Sequence, residues 1–461
     1  MPGVELRTDT ADRRGVALNA IFGVGIESVN AMAEVMLLPS LVLAFFVAEL
    51  TPSYTTIGLV PAVAASLWTA ARLPAHLLTG SQPRQQPWAF GAALVRGAAI
   101  TILAVIASRT DPAGLAQSGR PLLITFFLCL IVFTVAGGFG SVPTAALLRS
   151  SIPTDRWHGF TRWRALWSMA LSLIGALVVA RLLGPNGLPF PGNYGRLFLA
   201  AAVCLIAVAV FIVAMREPWT PPSPAMAPFL PPRALRQPLF DARYRRFLLF
   251  RVLLSASAAI DPFLFLYAVT RLGAPVTMLG TYLVAGVLGW IVSAPIWIWL
   301  ERRSSARAVL QSAAVLRLVA PALALVLPQL AGVALVRERT SDGSLAHTIF
   351  ALGFAAIGAA LAAQSRGNGG YLTPLAPRAL LPAYSGLTNG VLVVIAFSPV
   401  VAGLVIERFG YEALFIAAIV IGLIAVFAGG WLAAIPAALG DWPGIGRRGA
   451  RIPPALPATR L

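Results

Sequence analysis

The stretch AALVRG, residues 92–97, places Arg96 as the only charge in the apolar run WAFGAALVRGAAITILAVIA, residues 88–107. A charge at that depth is costly against lipid and has to face a bundle interior, water or a partner. A second arginine, Arg317, stands in nearly the same setting in QSAAVLRLVAPALALVLPQL, residues 311–330, and 317 − 96 = 221. One expensive feature recurring at that separation points to a duplicated unit.

Other features recur at nearly the same offset. LTPSYTTIGLVPAVAASLW aligns with LGAPVTMLGTYLVAGVLGW without a gap, placing Leu50 on Leu272, Gly58 on Gly280 and Trp68 on Trp290 at an offset of 222. HGFTRWRALWSMALSLIGALVVAR aligns with SGLTNGVLVVIAFSPVVAGLVIER, placing Gly159 on Gly386, Thr161 on Thr388 and Arg181 on Arg408 at 227. The change in offset calls for roughly six extra residues in the second copy, and the stretch LAGVALVRERTSDGSLAH is longer than its counterpart RTDPAGLAQSGR.

The chain has 461 residues, of which 58% are hydrophobic and 11% charged, with a mean hydropathy of +0.82. That is a membrane composition. A spanning helix needs about 20 mostly apolar residues. Twelve such segments are expected, near 22–48, 55–79, 88–108, 121–148, 159–183, 195–214, 247–270, 277–300, 306–328, 346–372, 384–406 and 412–436. The expected fold is therefore an all-α polytopic membrane protein. It divides into an N-terminal segment 1–21, a six-helix bundle 22–214, a linker 215–246, a second bundle 247–436 and a tail 437–461. With both first spans starting from the same side, the repeats are parallel, related by an axis along the membrane normal.

The net charge of +18 is distributed unevenly: about 22 arginines fall on the side of the termini, about 8 on the other and about 5 inside spans. This bias places both termini in the cytoplasm of a cell (inner) membrane and makes the basic excess a topology signal, not a nucleic-acid footprint. All 35 basic residues are arginine. Without lysine, neither a Gly-Lys-Ser/Thr phosphate loop nor a Schiff base can be built. His76, His158 and His347 are dispersed, so no metal site or cofactor is expected, and Cys129 and Cys204 read as buried small hydrophobes in spans four and six. The N-terminal segment has no cleavage pattern. The linker REPWTPPSPAMAPFLPPRALRQPLFDARYRRF begins proline-rich and ends basic, so it reads as a semi-rigid tether, with an amphipathic helix over 235–247 as the alternative.

The six-plus-six repeat, the ELTPSYTTIGL and RLGAPVTMLGT turns and SPVVAGLVIERFGYEALF together resemble the major facilitator superfamily of secondary transporters over nearly the whole chain. The resemblance implies alternating access between two bundles with substrate held near the midplane. The family's loop after the second span, G-x-x-x-D-R-x-G-R-R, is reduced here to GSQPRQQPW, with Gly80 and Arg84 but no acidic residue. LERRSSAR keeps Glu301, Arg302 and Arg303 without the glycine. The proline-glycine signature of many drug/proton antiporters in span five is absent from LSLIGALVVAR.

Candidate pathway residues follow from polar groups inside spans. Gly23, Glu27, Asn30 and Glu34 form one stripe of span one. Arg96 either fixes its bundle, faces an anion, or holds an acidic partner such as Glu34. Span ten offers Gln364 and Asn368 on one face, Arg366 on the opposite one, and a cluster of three glycines. Asn389 lies on the polar face of span eleven. Asp261 precedes Pro262 in span seven, where the proline should break the helix and leave Asp261 either as a cap or as a carboxylate titrating for proton coupling.

The expected function is secondary active transport of a small molecule, coupled to an ion, H+ being favoured by the carboxylates within spans. The chain is expected to act as a monomer in the bilayer and not as an enzyme, there being no nucleophile-base constellation. The alternative is a transporter-fold protein without transport, serving as an assembly, delivery or sensing partner.

Overall fold

The computed structural model describes residues 5–112, 115–218, 232–330 and 344–433, and these form helices and turns with no strand. The extra residues inferred in the second copy fall mostly on 331–343, and the tail 437–461 wholly, outside the described residues. In the first half, α1 (Glu5–Met36) continues through a π-helical turn at Pro39–Leu43 into α2 (Ala44–Ala48). Then follow α3 (Tyr54–Thr79), α4 (Gln86–Arg109), α5 (Leu115–Ser151), α6 (Trp157–Leu182) and α7 (Gly192–Ala214). Helix α1 thus begins before residue 22, the expected start of the first bundle.

The second half opens with the short α8 (Pro232–Phe240), a helix where the linker was expected to be a tether. Next come α9 (Ala242–Ser257), a 3-10 turn at Ala258–Ile260 and α10 (Asp261–Thr270). These are followed by α11 (Leu279–Arg303), α12 (Ala306–Arg317), α13 (Val319–Leu330), α14 (Ser344–Leu375), α15 (Leu381–Ile395) and α16 (Ser398–Gly430). Side-chain caps start several of these: Ser53 accepts from the Thr56 amide, Asp241 from that of Arg243 and Ser305 from that of Ala308.

Eleven segments are long and apolar enough to cross a membrane, and the last of them, Leu381–Gly430, has 50 residues. Gly410 divides it, with φ 81° and ψ 178°, a backbone that only glycine adopts readily. The chain reverses there. The Tyr384 carbonyl accepts from Tyr244 at the start of α9, Tyr411 packs on Tyr267 in α10, and the Trp431 carbonyl is back beside Arg246. Twelve crossings result, and the fold is all-α, with two parallel six-helix repeats.

Leucine, valine and isoleucine on the outer faces, among them Ile102, Val132, Val203, Val210 and Val292, stay exposed, as a lipid-facing surface requires. Within the first half α4 packs on α5 and α7, and α1 on α6 and α7; within the second, α14 packs on α11 and α12. Between the halves the principal contacts are α3 with α16 and α6 with α11. These pair the second span of one half with the fifth of the other, in both directions, as a two-fold axis between the repeats demands.

Candidate functional site

The first span of each half is broken by a proline at matching positions, Pro39 and Pro262. Proline lacks the amide that would donate to the carbonyl four residues back. In the first half the Val35 carbonyl accepts instead from Leu38, at 3.3 Å, and in the second the Ala258 carbonyl accepts from Asp261. Each tightened turn displaces the helix at mid-depth, and the two breaks face one another across the interface between halves. Pro321 acts likewise on the Arg317 carbonyl and separates α12 from α13.

Asp261 does not cap α10. It has helical φ and ψ as the first residue of that helix, and the preceding residue, Ile260, makes no side-chain cap. Its carboxylate is taken by Arg317, whose Nη1 reaches Oδ1 at 2.8 Å and Oδ2 at 2.7 Å. The Arg317 side chain is 3% exposed and that of Asp261 17%. Arg96 is held in the same way by the first span of its own half, with different partners. Its Nη1 donates to Asn30 Oδ1 at 2.8 Å, Asn30 donates to Glu34 at 2.8 Å, and Glu34 lies 3.8 Å from Arg96 Nη2 with its side chain 49% exposed. The rings of Trp68 and Phe133 lie 5.3 and 4.7 Å from the Arg96 guanidinium, a cation–π cage that partly replaces water. The two arginines stand ten and eleven residues into α4 and α12, at about the same depth.

A cavity of about 320 Å³ lies between the halves at the level of the two breaks. It is lined from α3 by Pro61, Ala65 and Thr69, from span seven by Ser255, Ala258, Asp261 and Pro262, and from α15 and its continuation by Asn389, Leu392 and Ser398; Ser40 enters from the π-helical turn. Two of the sequence candidates, Asp261 and Asn389, therefore meet in one cavity. Its wall is mostly apolar with hydroxyl and amide groups, and its carboxylate is already countered by Arg317.

On the side away from the termini the halves are closed. Glu407, at the far end of span eleven, accepts from the Thr55 amide at 3.0 Å and from the Ser53 hydroxyl at 3.3 Å, placing a carboxylate on the N-terminus of α3. Phe45 meets Phe265 edge-on at 4.7 Å, Tyr54 meets Tyr411 at 5.6 Å, and Ser66 donates to the Val393 carbonyl at 3.2 Å. Glycines let the backbones touch: a Cβ on Gly58 would overlap the Pro399 carbonyl, and one on Gly280 would overlap Ala180. On the side of the termini, the hydrogen bonds among the described residues stay inside each half. Asn19 and Arg216 bond reciprocally, and the Glu217 carboxylate accepts from the amides of Gln85 and Gln86 at 2.6 and 3.0 Å. The degenerate loop GSQPRQQPW is thereby tied to the end of α7.

The remaining candidates lie elsewhere. Arg366 pairs with Glu301 near the terminal-side end of α11, while the Gln364 amide nitrogen and the Asn368 carbonyl oxygen, on the opposite face of α14, are buried without partners. Glu27 pairs with Arg164 of α6 at 3.2 Å. Glu34, Asn30 and Arg96 are brought together with each other but do not line the cavity. Sequence reasoning missed Ser40 and Glu407. Ser40 had a signal in the matching prolines; Glu407 had none, because its partners lie more than 350 positions away. Among the described residues no group of His, Cys, Asp or Glu could hold a metal ion, and both cysteines are free.

No family model matches the chain, and no curated protein matches it. Solved structures do. A mutant form of the nucleoside transporter NupG shares 14% identity at a TM-score of 0.67, covering 90% of this chain and 99% of that one. A bacterial homologue of the iron transporter ferroportin in its inward-facing state shares 17% identity at a TM-score of 0.58, covering 91% of this chain and 98% of that one. The same kind of homologue in its outward-facing state gives 0.51 at 16% identity, with 90% and 98% covered. At these identities the likeness is one of architecture, and, with its two parallel six-span repeats meeting through second and fifth spans, the chain has the major facilitator fold.

Proposed function

We propose that this protein is a secondary transporter of the cell (inner) membrane, with both termini in the cytoplasm, that carries a small molecule through the cavity between its halves by alternating access. The observation that carries the reading is the cavity at the paired helix breaks, sealed on one side by contacts between halves while, among the described residues, the hydrogen bonds on the other side remain within each half. A wall of this kind has a second arrangement available to it: rocking one half about α3, α6, α11 and α16 would exchange the sealed and open sides. The higher similarity to an inward-facing than to an outward-facing neighbour supports the terminal side being the open one.

The reading assigns proton coupling to Asp261. Its carboxylate borders the cavity and is bound to a buried guanidinium, so protonation would release Arg317 and change the charge of the wall at the point where the helix is already broken. The test is a proteoliposome assay with an imposed pH gradient, in which a panel of metabolites is screened for compound-dependent proton flux. The expected result is flux with one chemical class, abolished by Asp261→Asn, with binding of the same compound retained. Flux unchanged in that variant would remove Asp261 from coupling. Absence of flux with every compound, in a protein that still binds a partner protein, would favour the assembly or sensing role.

A further inference from the structure

Arg251 of α9 stands apart from the ion pairs along the inner faces. Arg164 is paired with Glu27, Arg96 lies beside Glu34, Arg317 is paired with Asp261 and Arg366 with Glu301. Arg251 of α9 has no ion pair or hydrogen bond among the described residues, and its Nε is buried without a partner. An arginine cannot be neutralised at working pH and its guanidinium is costly to keep away from water and from an anion, so such a position calls for a counter-charge supplied from elsewhere.

Its place on the helix says where that counter-charge would lie. Ser255 and Ala258 line the cavity. Four and seven residues along a helix bring side chains within about 40° of one another, so Arg251 lies on the same stripe, about 6–10 Å nearer the terminal side. Tyr244, further down that stripe, is fully buried and donates to the Tyr384 carbonyl of α15, the helix of the same half that carries Asn389, so the stripe packs toward α15 and not toward lipid. Arg251, not itself a lining residue, thus lies about one helical turn from Ser255 on the terminal side of the cavity, with Ser255 between it and the neutralised Asp261–Arg317 pair.

Resting on the transport reading above, we infer that the transported molecule is an anion, a carboxylate or phosphate monoester, whose charged group is taken by Arg251 while its less polar part occupies the cavity beside Asn389. The planar fork of arginine suits either group, which can accept two parallel N–H donors.

The experiment uses the full-length protein in phosphatidylcholine nanodiscs, so that no anionic lipid headgroup supplies the charge. Binding is measured by calorimetry and thermal shift for matched pairs: succinate with succinamide, benzoate with benzamide, glucose 6-phosphate with glucose. The expected result is saturable binding of at least one anion and a neutral counterpart at least tenfold weaker. Arg251→Gln should weaken that anion at least tenfold, while Arg251→Lys, which keeps the charge and controls for folding, should lose less. Neutral members binding as well as their anions, or an anion held equally by Arg251→Gln, would overturn the anionic class and leave transport standing. No binding by any member would count against both.

Discussion

The two buried arginines occupy equivalent places in the repeats, yet their partners predict unequal energetics. Arg317 is 3% exposed and bound through both oxygens of Asp261. Removing one member of such a pair leaves an uncompensated charge, at a cost of about 3–5 kcal/mol. Asp261→Asn would strand the more deeply buried guanidinium with one amide oxygen as acceptor, and about 3 kcal/mol is expected. Arg317→Gln would leave a carboxylate that borders the cavity and is open to water, so about 2 kcal/mol is expected. With both replaced, two amides face each other at a cost of about 1–2 kcal/mol, which gives a coupling near 3–4 kcal/mol. For Glu34 and Arg96 the separation is 3.8 Å and Glu34 is half exposed, so the coupling should stay below about 1 kcal/mol. Denaturation in mixed detergent micelles, followed by far-UV circular dichroism for the four proteins of each cycle, measures both. Equal couplings in the two cycles, or a value under about 1 kcal/mol for Asp261 and Arg317, would refute the assignment of that pair as the anchor of the broken helix.

Two further predictions concern closure away from the termini. Glu407→Gln keeps one acceptor but loses the charge on the α3 N-terminus, so the population open on that side should rise. The readout is the rate at which an impermeant maleimide reaches Ser40→Cys from that side, in a background with Cys129 and Cys204 replaced, and an unchanged rate would remove Glu407 from the seal. Gly58→Val places a branched side chain against the Pro399 carbonyl, so the seal cannot form without a backbone shift. Labelling should then exceed that of Glu407→Gln, whereas labelling at the unmutated rate would mean that α3 and α16 need no such approach.

Spans, repeats and helix breaks were legible because their signals are local. An apolar run of about 20 residues satisfies its own backbone in lipid wherever it sits. Pro39 and Pro262 remove a hydrogen bond whatever their neighbours are, and a charge such as Arg96 or Arg317 announces its cost by itself. The sequence thereby determined that two arginines had to find partners inside two matching bundles. Which partners they found depended on how the helices turned against each other: Arg96 chose the neutral Asn30 and left Glu34 half exposed, and Arg317 drew Asp261 away from the capping role that its place before proline suggested. The cavity, the Glu407 seal and the solitary Arg251 are likewise products of packing. They join side chains from spans hundreds of residues apart through glycine contacts such as Gly58 on Pro399, and no period or spacing along one chain records which backbones will approach that closely.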